Sequence, residues 1–260
     1  MLRIRVKAYR ASEAVGNCMR SAEVHAQVLQ RYDIGNITSA KDGWWRNEQT
    51  YVVLLEETQT GEPLGGVRLQ RWGNGVPLPI ESALAGVDRY VHAWVASFAN
   101  AGVGELCGLW CSPRLKGFGV GSALTKMGLS LGPELKTRTI LGLCDTRNVS
   151  ANVGLGFARD PLLATDGSFE YPRPGLVAHV LRVPDSRRLE GAVASHRADV
   201  ESYRRAPVGV EILEAHGQYV ELERDLRIGS LEAPAQRRAR ASRPNASHEP
   251  PLLGRAPEPY

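Results

Sequence analysis

The residues best suited to chemistry are three alternating glycines in the segment Lys116-Gly-Phe-Gly-Val-Gly121. Because Gly117, Gly119 and Gly121 have no side chains, successive backbone N–H groups can point into one concavity that suits anionic oxygens. A helix is predicted directly after them, and the unpaired N–H groups and positive dipole end of its first turn attract the same kind of ligand. The segment therefore predicts a site for a pyrophosphate.

Two other kinds of glycine loop bind phosphates, and the segment matches them less well. A Walker loop ends in Gly-Lys-Ser/Thr, whereas this one ends in Gly-Ser-Ala, which excludes it. A Rossmann turn needs Gly-x-Gly-x-x-Gly directly after a strand, and counted from Gly119 its third glycine position holds Leu124. Asp145, at the end of the next predicted strand, occupies the place of a ribose-binding acid, so a dinucleotide site stays open as an alternative. A tight strand-to-helix turn that binds nothing is the other alternative.

Apolar periodicity predicts the elements that must hold this loop. Alternating or continuous apolar runs indicate strands, and apolar stripes at helical spacing indicate helices. The predicted strands are Leu2–Ala8, Tyr51–Glu57, Leu64–Trp72, Gly104–Cys111, Thr139–Cys144, Leu176–Val183, Val208–Glu214 and Gln218–Glu223. The predicted helices are one that Ser12 caps and that carries Val15, Cys18, Ala22 and Leu29, then Ser82–Asn100, Ser122–Leu131, Asn148–Leu155 and Asp185–Arg204.

Composition restricts the class of protein. The 260 residues, 43% hydrophobic and 23% charged, are typical of a soluble globular chain. The cysteines Cys18, Cys107, Cys111 and Cys144 lack the spacing of a zinc site, so we expect free thiols and no metal. The N-terminus does not resemble a signal peptide, and no apolar run approaches the roughly 18 residues of a membrane span. We therefore expect a cytoplasmic protein.

The net charge of +4 is unevenly distributed along the chain. Five arginines and three glutamates in Gly229–Tyr260 supply about half of the excess, so the rest of the chain offers no basic face for a nucleic acid. Six prolines and few large apolar residues in the same stretch predict a disordered tail over 229–260.

The glycine segment resembles the Arg/Gln-x-x-Gly-x-Gly/Ala loop of the GNAT (Gcn5-related N-acetyltransferase) acyltransferases, with Lys116 in the place of the usual Arg or Gln. The resemblance covers about 51–160. It implies an α/β (α+β) fold: a mixed, twisted sheet flanked by helices, with splayed central parallel strands. The domains would be an acyltransferase core over 1–160, an extension packed on it over 161–228, and the tail. Acetyl-CoA or another acyl-CoA is the implied co-substrate.

The same resemblance implies the site residues. The splayed strands would be Gly104–Cys111 and Thr139–Cys144, and Gly108 is either a bulge that opens them or a point of close helix packing. Glu105 would be the general base, the alternative being a surface glutamate; the place of the family's tyrosine acid holds Asn152. The residues expected to bind the cofactor are Leu109, Trp110, Cys111, Lys116, Gly117, Phe118, Gly119, Val120, Gly121, Ser122 and Asn148.

A second resemblance concerns the acyl donor. The segments Gly65–Leu69 and Leu78–Ser82 look like the N-terminal half of autoinducer synthases and N-acyl amino acid synthases, which share the fold and take long acyl chains from acyl carrier protein. The intact glycine loop favours coenzyme A over acyl carrier protein. The acceptor is expected to be a small-molecule amine, oligomerisation is possible, and a non-catalytic acyl-CoA-binding domain is the third alternative.

Overall fold

The computed structural model of the chain describes residues 1–35 and 37–229. Ten strands in this part of the chain form one mixed sheet, which confirms the predicted fold class. The strands are β1 (Leu2–Arg10), β2 (Thr50–Glu57), β3 (Pro63–Arg71), β4 (Val103–Cys111), β5 (Thr139–Asp145), β6 (Ala158–Arg159), β7 (Ser168–Glu170), β8 (Val177–Val183), β9 (Val208–Ala215) and β10 (Gln218–Asp225). Their order is β6-β8-β5-β4-β3-β2-β1-β10-β9, and β7 also pairs with β8.

Helices cover both faces of this sheet. They are α1 (Val15–Gln30), α2 (Pro79–Leu84), α3 (Val91–Ala96), α4 (Val120–Ser130), α5 (Val149–Gly154) and α6 (Ala194–Arg205). Apolar residues of α4 and α6 pack on one face, and α1, α2 and α3 pack on the other. Because both faces are covered, the central strands β2 and β3 are buried almost throughout, including Arg68 and Gln70 of β3.

The segment 161–228, expected to pack on the core as an extension, supplies strands to the same sheet. In this segment β8 pairs antiparallel with β5, and β10 pairs parallel with β1. The tail predicted over 229–260 lies outside the described residues, apart from Gly229. In the described ranges, no helix combines the length and the apolar character needed to cross a membrane.

The helix predicted over Ser82–Asn100 is wrong in extent. The structure has two short helices, α2 and α3, because the chain turns between them. Asp88 accepts the backbone N–H groups of Tyr90 at 2.8 Å and of Ala164 at 2.9 Å. An aspartate that binds nearby N–H groups favours a turn over a continuous helix.

Two other helix predictions are corrected in the same way. The helix expected over Asp185–Arg204 is confined to α6, since Asp185 accepts the N–H of Arg187 at 3.0 Å and begins a turn instead. Ser12 does not cap α1, because it lies in a short 3-10 turn and Ala14 occupies the capping position.

Candidate active site

The central parallel strands β4 and β5 pair over a short stretch and then separate. Their ladder consists of three residue pairs, Val103 with Thr139, Gly104 with Ile140, and Glu105 with Leu141. Both strands continue for several residues beyond this point, so a cleft opens after Glu105. The splayed strands expected from the resemblance are therefore present.

A bulge at Gly108 accompanies this separation. Gly108 has a φ of +60°, and the register between β3 and β4 shifts between Gly66 and Arg68. A side chain at Gly108 would be strained, and its Cβ would lie 2.8 Å from Nε of Arg68. The prediction of a bulge is confirmed, and the group packed on this glycine is an arginine side chain, not a helix.

The glycine segment forms the predicted loop between β4 and α4. Gly117 and Gly119 have φ values of +90° and +71°, and Gly119 occupies the N-capping position of α4. No side chain of the described residues caps this helix, so its first N–H groups face open space. Arg114 anchors the loop through ion pairs of 3.1 Å to Glu57 and to Glu62. The loop thus has the geometry of an anion site.

A cavity of about 430 Å³ joins this loop to the cleft and passes through the sheet. It extends from the first turn of α4, between β4 and β5, to α1 and to the turn before β8. Its lining includes His25, Leu29, Thr38, Val67, Glu105, Leu106, Cys107, Leu109, Ser122, Thr125, Leu143, Cys144, Asn148, Asn152, Leu155, Phe157, Tyr171 and Leu181. Apolar groups predominate, with a few polar groups on each side of the sheet.

Glu105 is a buried acidic residue in the lining of this cavity. It is 2% exposed, and its Oε2 accepts the backbone N–H of Ile80 at 2.7 Å. Burial raises the pKa of this carboxyl to about 8, against the smaller lowering effects of the Ile80 N–H and of Arg68. The nearby carboxyl of Glu81 acts in the same direction as burial. Glu105 is therefore a carboxyl group that exchanges a proton near neutral pH, as a general base must.

Two further polar residues of the cavity were not predicted as site residues. Tyr171 accepts the N–H of Thr38 at 2.5 Å and lies 2.9 Å from the Thr38 hydroxyl, and burial raises its pKa. His25 stacks on Trp110 at 5.7 Å, and burial lowers its pKa to about 4, which keeps it neutral. His25 follows Cys18 by seven residues, on the predicted apolar stripe of α1, so spacing could have located it. Tyr171 lies beyond the residues that the resemblance covers.

The predicted cofactor residues fall into two groups. Those that line the cavity are Leu109, Gly121, Ser122 and Asn148. The others that contribute side chains lie elsewhere: Trp110 is buried against His25, Val120 and Phe118 pack in or against the core, Cys111 is half-buried, and Lys116 is exposed. Asn152, in the place of the family's tyrosine, lines the cavity and donates to the Asn148 carbonyl at 2.9 Å. Cofactor binding by these residues stays a prediction.

Comparisons with known proteins identify the fold. No protein-family model matches the chain, and no curated protein matches it. Among solved structures, FeeM, an N-acyl amino acid synthase from uncultured soil microbes, superposes with a TM-score of 0.54 at 11% identity, over 75% of this chain and 99% of FeeM. The CoA-dependent acyl-homoserine lactone synthase BjaI superposes with a TM-score of 0.48 at 10% identity, over 85% of this chain and 94% of BjaI. Escherichia coli ElaA superposes with a TM-score of 0.48 at 12% identity, over 69% of this chain and 98% of ElaA.

The likeness to FeeM, at 11% identity, is one of fold and transfers no activity, and the shared architecture agrees with the splayed strands and the glycine loop described above. The chain therefore has the GNAT fold, the fold expected from the sequence.

Proposed function

We propose that the protein is an N-acyltransferase that moves an acyl group from a coenzyme A thioester to an amine. One observation carries this proposal: a single cavity connects the phosphate loop at the start of α4 with the buried carboxyl of Glu105, through the gap between β4 and β5. A thioester bound from one side and an amine bound from the other would meet at that gap.

Binding of the donor follows from the backbone of this region. The N–H groups at Gly119–Gly121 and the dipole of α4 would hold the pyrophosphate. The pantetheine arm has amide groups, and the edge of β4 beyond Glu105, which β5 leaves unpaired among the described residues, offers it a strand-like partner. An N–H of this edge, near Leu109, would stabilise the negative charge that develops on the thioester oxygen.

The transfer itself needs an unprotonated amine. As the amine nitrogen forms its bond to the carbonyl carbon, it loses a proton to the carboxylate of Glu105, and the carbon–sulfur bond breaks to release the thiolate of coenzyme A. Because burial raises the pKa of Glu105 to about 8, the rate should rise with pH through that value. Asn152 is not an acid, so the thiolate leaves without help from that position or takes its proton from water.

The cysteines that line the cavity support direct transfer. Burial raises the pKa of Cys107 to about 12 and that of Cys144 to about 11. Both groups are therefore thiols near neutral pH, and a thiol is a poor nucleophile compared with a thiolate. An acyl-cysteine intermediate is thus disfavoured at either residue.

The cavity also supports a second candidate function. Sequence features favoured an acetyl donor, but the apolar residues Leu106, Leu143 and Phe157 beside the gap would accept a longer acyl chain. The fold shared with FeeM, an N-acyl amino acid synthase, supports an N-acyl amino acid synthase as this alternative; a long-chain donor on acyl carrier protein comes from the sequence resemblance alone. The glycine loop is the argument for coenzyme A.

Thiol release from a series of acyl donors tests these alternatives. Acetyl-, hexanoyl- and decanoyl-CoA, and acyl carrier protein with the same chains, would each be incubated with a panel of amines, and the free thiol and acylated amine measured. We expect turnover with at least one coenzyme A thioester. Turnover with acyl carrier protein alone would establish the second candidate, and binding without thiol release from any donor would reject enzymatic function.

A pair of loop variants tests the phosphate site. Gly119→Asp and Gly119→Asn both suit the left-handed backbone at this position and differ only in charge. We expect the aspartate to weaken coenzyme A binding by at least about tenfold relative to the asparagine, because its carboxylate would face the pyrophosphate. Calorimetry measures both affinities, and equal values would refute the assignment of the loop.

A further inference from the structure

A short series of contacts connects Glu105 to the surface of the molecule. The N–H of Ile80 that donates to Glu105 belongs to the first turn of α2, and Glu81 is the next residue. Glu81 is 3% exposed; its Oε2 accepts the N–H of Leu78 at 2.7 Å, and its Oε1 lies 2.8 Å from Nδ1 of His92. The side chain of His92, on α3, is 59% exposed. The carboxyl of Glu105 is thus connected to the exposed ring of His92 through the first turn of α2 and the side chain of Glu81.

The first turn of α2 is held in place from two more sides. Gln70, which lies opposite Glu105 in the β3–β4 ladder, donates from Nε2 to the Pro77 carbonyl at 3.1 Å. The hydroxyl of Thr38 donates to the Pro79 carbonyl at 2.9 Å. These contacts hold the residues on both sides of the N-capping Leu78, and the carboxyl of Glu81 closes the turn in the manner of a capping box. The direction of the N–H that reaches Glu105 therefore depends on Glu81.

We propose that Glu81 and His92 are positioning residues for Glu105: Glu81 holds the turn that binds the Glu105 carboxyl and acts on its proton exchange through its negative charge, and His92 holds the carboxylate of Glu81. The inference rests on the proposed function, in which Glu105 is the base. It adds two residues that do not line the cavity and touch neither the donor nor the acceptor.

Charged and titratable groups face Glu105 from each element packed against it. Arg68 on β3 favours the ionised carboxyl, and Glu81 on α2 opposes it, so these two act in opposite directions. Cys107, on the same strand as Glu105, and Tyr171 are neutral near pH 7, because burial raises the pKa of each. The charge of Glu81 is therefore the part of this surrounding that a conservative substitution can change without altering the cavity.

Two substitutions should shift the titration of Glu105 in opposite directions. In Glu81→Gln the amide oxygen still accepts the Leu78 N–H, but the negative charge is lost, so Glu105 should ionise at a pH lower by at least about half a unit. In His92→Leu the side chain cannot donate, so the carboxylate of Glu81 keeps only the Leu78 N–H, its charge is less compensated, and Glu105 should ionise at a higher pH. Simple damage to the fold would not give shifts of opposite sign.

Carbon-13 NMR of side-chain carboxyls in the full-length, glutamate-labelled protein measures this titration without any substrate. The Glu105 signal is identified by its loss in Glu105→Gln. An exposed carboxyl far from α2, removed in Glu134→Gln, provides the control for a change of one unit in net charge. The pH dependence of kcat/KM, where turnover is found, should move with the NMR titration in each variant.

The possible results separate the two proposals. Opposite shifts in Glu81→Gln and His92→Leu, with none in Glu134→Gln, support the positioning pair even if no donor is turned over, which would overturn the proposed function alone. Turnover by the parent protein together with an unmoved Glu105 titration in both variants would overturn the positioning pair alone. Thermal melting of each variant shows whether it is folded, and a shift of the same sign in both would also reject the proposal.

Discussion

Replacement of Glu105 by glutamine should stabilise the protein in alkaline solution while it removes the proposed base. The carboxyl of Glu105 is buried, and its pKa is raised from the ordinary 4.5 to about 8 in the folded protein. A group whose pKa is raised by folding binds a proton more tightly in the native state than in the unfolded state. Its contribution to stability is therefore complete below pH 4.5 and is lost as the pH rises through 8. The amide of Glu105→Gln does not ionise, so the variant has no such loss.

The size of the effect follows from the same values. A difference of one in pKa corresponds to about 1.4 kcal/mol, so ionisation of Glu105 costs the native state roughly 5 kcal/mol when it is complete. Integrated over the titration, the stability of Glu105→Gln relative to the parent protein should increase by roughly 4 kcal/mol between pH 5 and pH 9. The Ile80 N–H keeps an acceptor in the amide oxygen, so the two proteins should be nearly equal in stability at pH 5.

Guanidinium unfolding, followed by circular dichroism at pH 5, 7 and 9, provides the measurement. All other titrating groups are common to the two proteins and cancel in the difference. Glu134→Gln, which removes an exposed carboxyl, should follow the parent protein at every pH. If the difference between Glu105→Gln and the parent stays constant from pH 5 to pH 9, Glu105 is not a buried carboxyl of raised pKa, and the argument for it as the base fails.

Two further predictions concern the strands around the cavity. Gly108→Ala should lower stability by about 1–3 kcal/mol, because an alanine at a φ of +60° is strained, whereas Gly16→Ala in the open first turns of α1 should stabilise slightly; thermal melting compares the two. Asp160→Asn should lower the free energy of unfolding by about 3–5 kcal/mol. It leaves Arg182 without its carboxylate partner at 2.8 Å, and the side chain of Asp160 is only 2% exposed. Glu190→Gln, which removes an ion pair with Arg188 that is exposed on both sides, should cost less than about 1 kcal/mol, and equal losses in denaturant unfolding would contradict this account.

The loop and the splayed strands could be predicted because their signals are local. Glycine spacing, the strand before it and the helix after it all lie within 103–130, and the structure places β4 and α4 within two residues of the predicted bounds. The bulge at Gly108 was predictable for the same reason, since a glycine inside an apolar strand indicates a break in the ladder.

The remainder of the site depends on contacts between distant parts of the chain. Asp88 ends the helix predicted over Ser82–Asn100 partly by binding the N–H of Ala164, which is 76 residues away. Tyr171 reaches Thr38 over 133 residues, so neither residue has a pattern of its own that indicates the cavity. In the same way, the parallel pairing of β10 with β1 joins the two ends of the described chain, and periodicity cannot show which strands pair.

The place of Glu105 in its strand explains how its carboxyl combines burial with access to the cavity. It forms the last pair of the β4–β5 ladder, where the sheet still excludes water and the cleft begins. One residue further along, Leu106 points to the opposite face and packs against Gly128 of α4, as the two-residue period of a strand requires. The next residue on the same face as Glu105 is Cys107, which adjoins the bulge. The backbone N–H of Ile80 donates to the carboxyl of Glu105. A carboxyl at position 105 therefore has its pKa raised by burial and still lines the cavity, a combination that costs stability at high pH and that a general base requires.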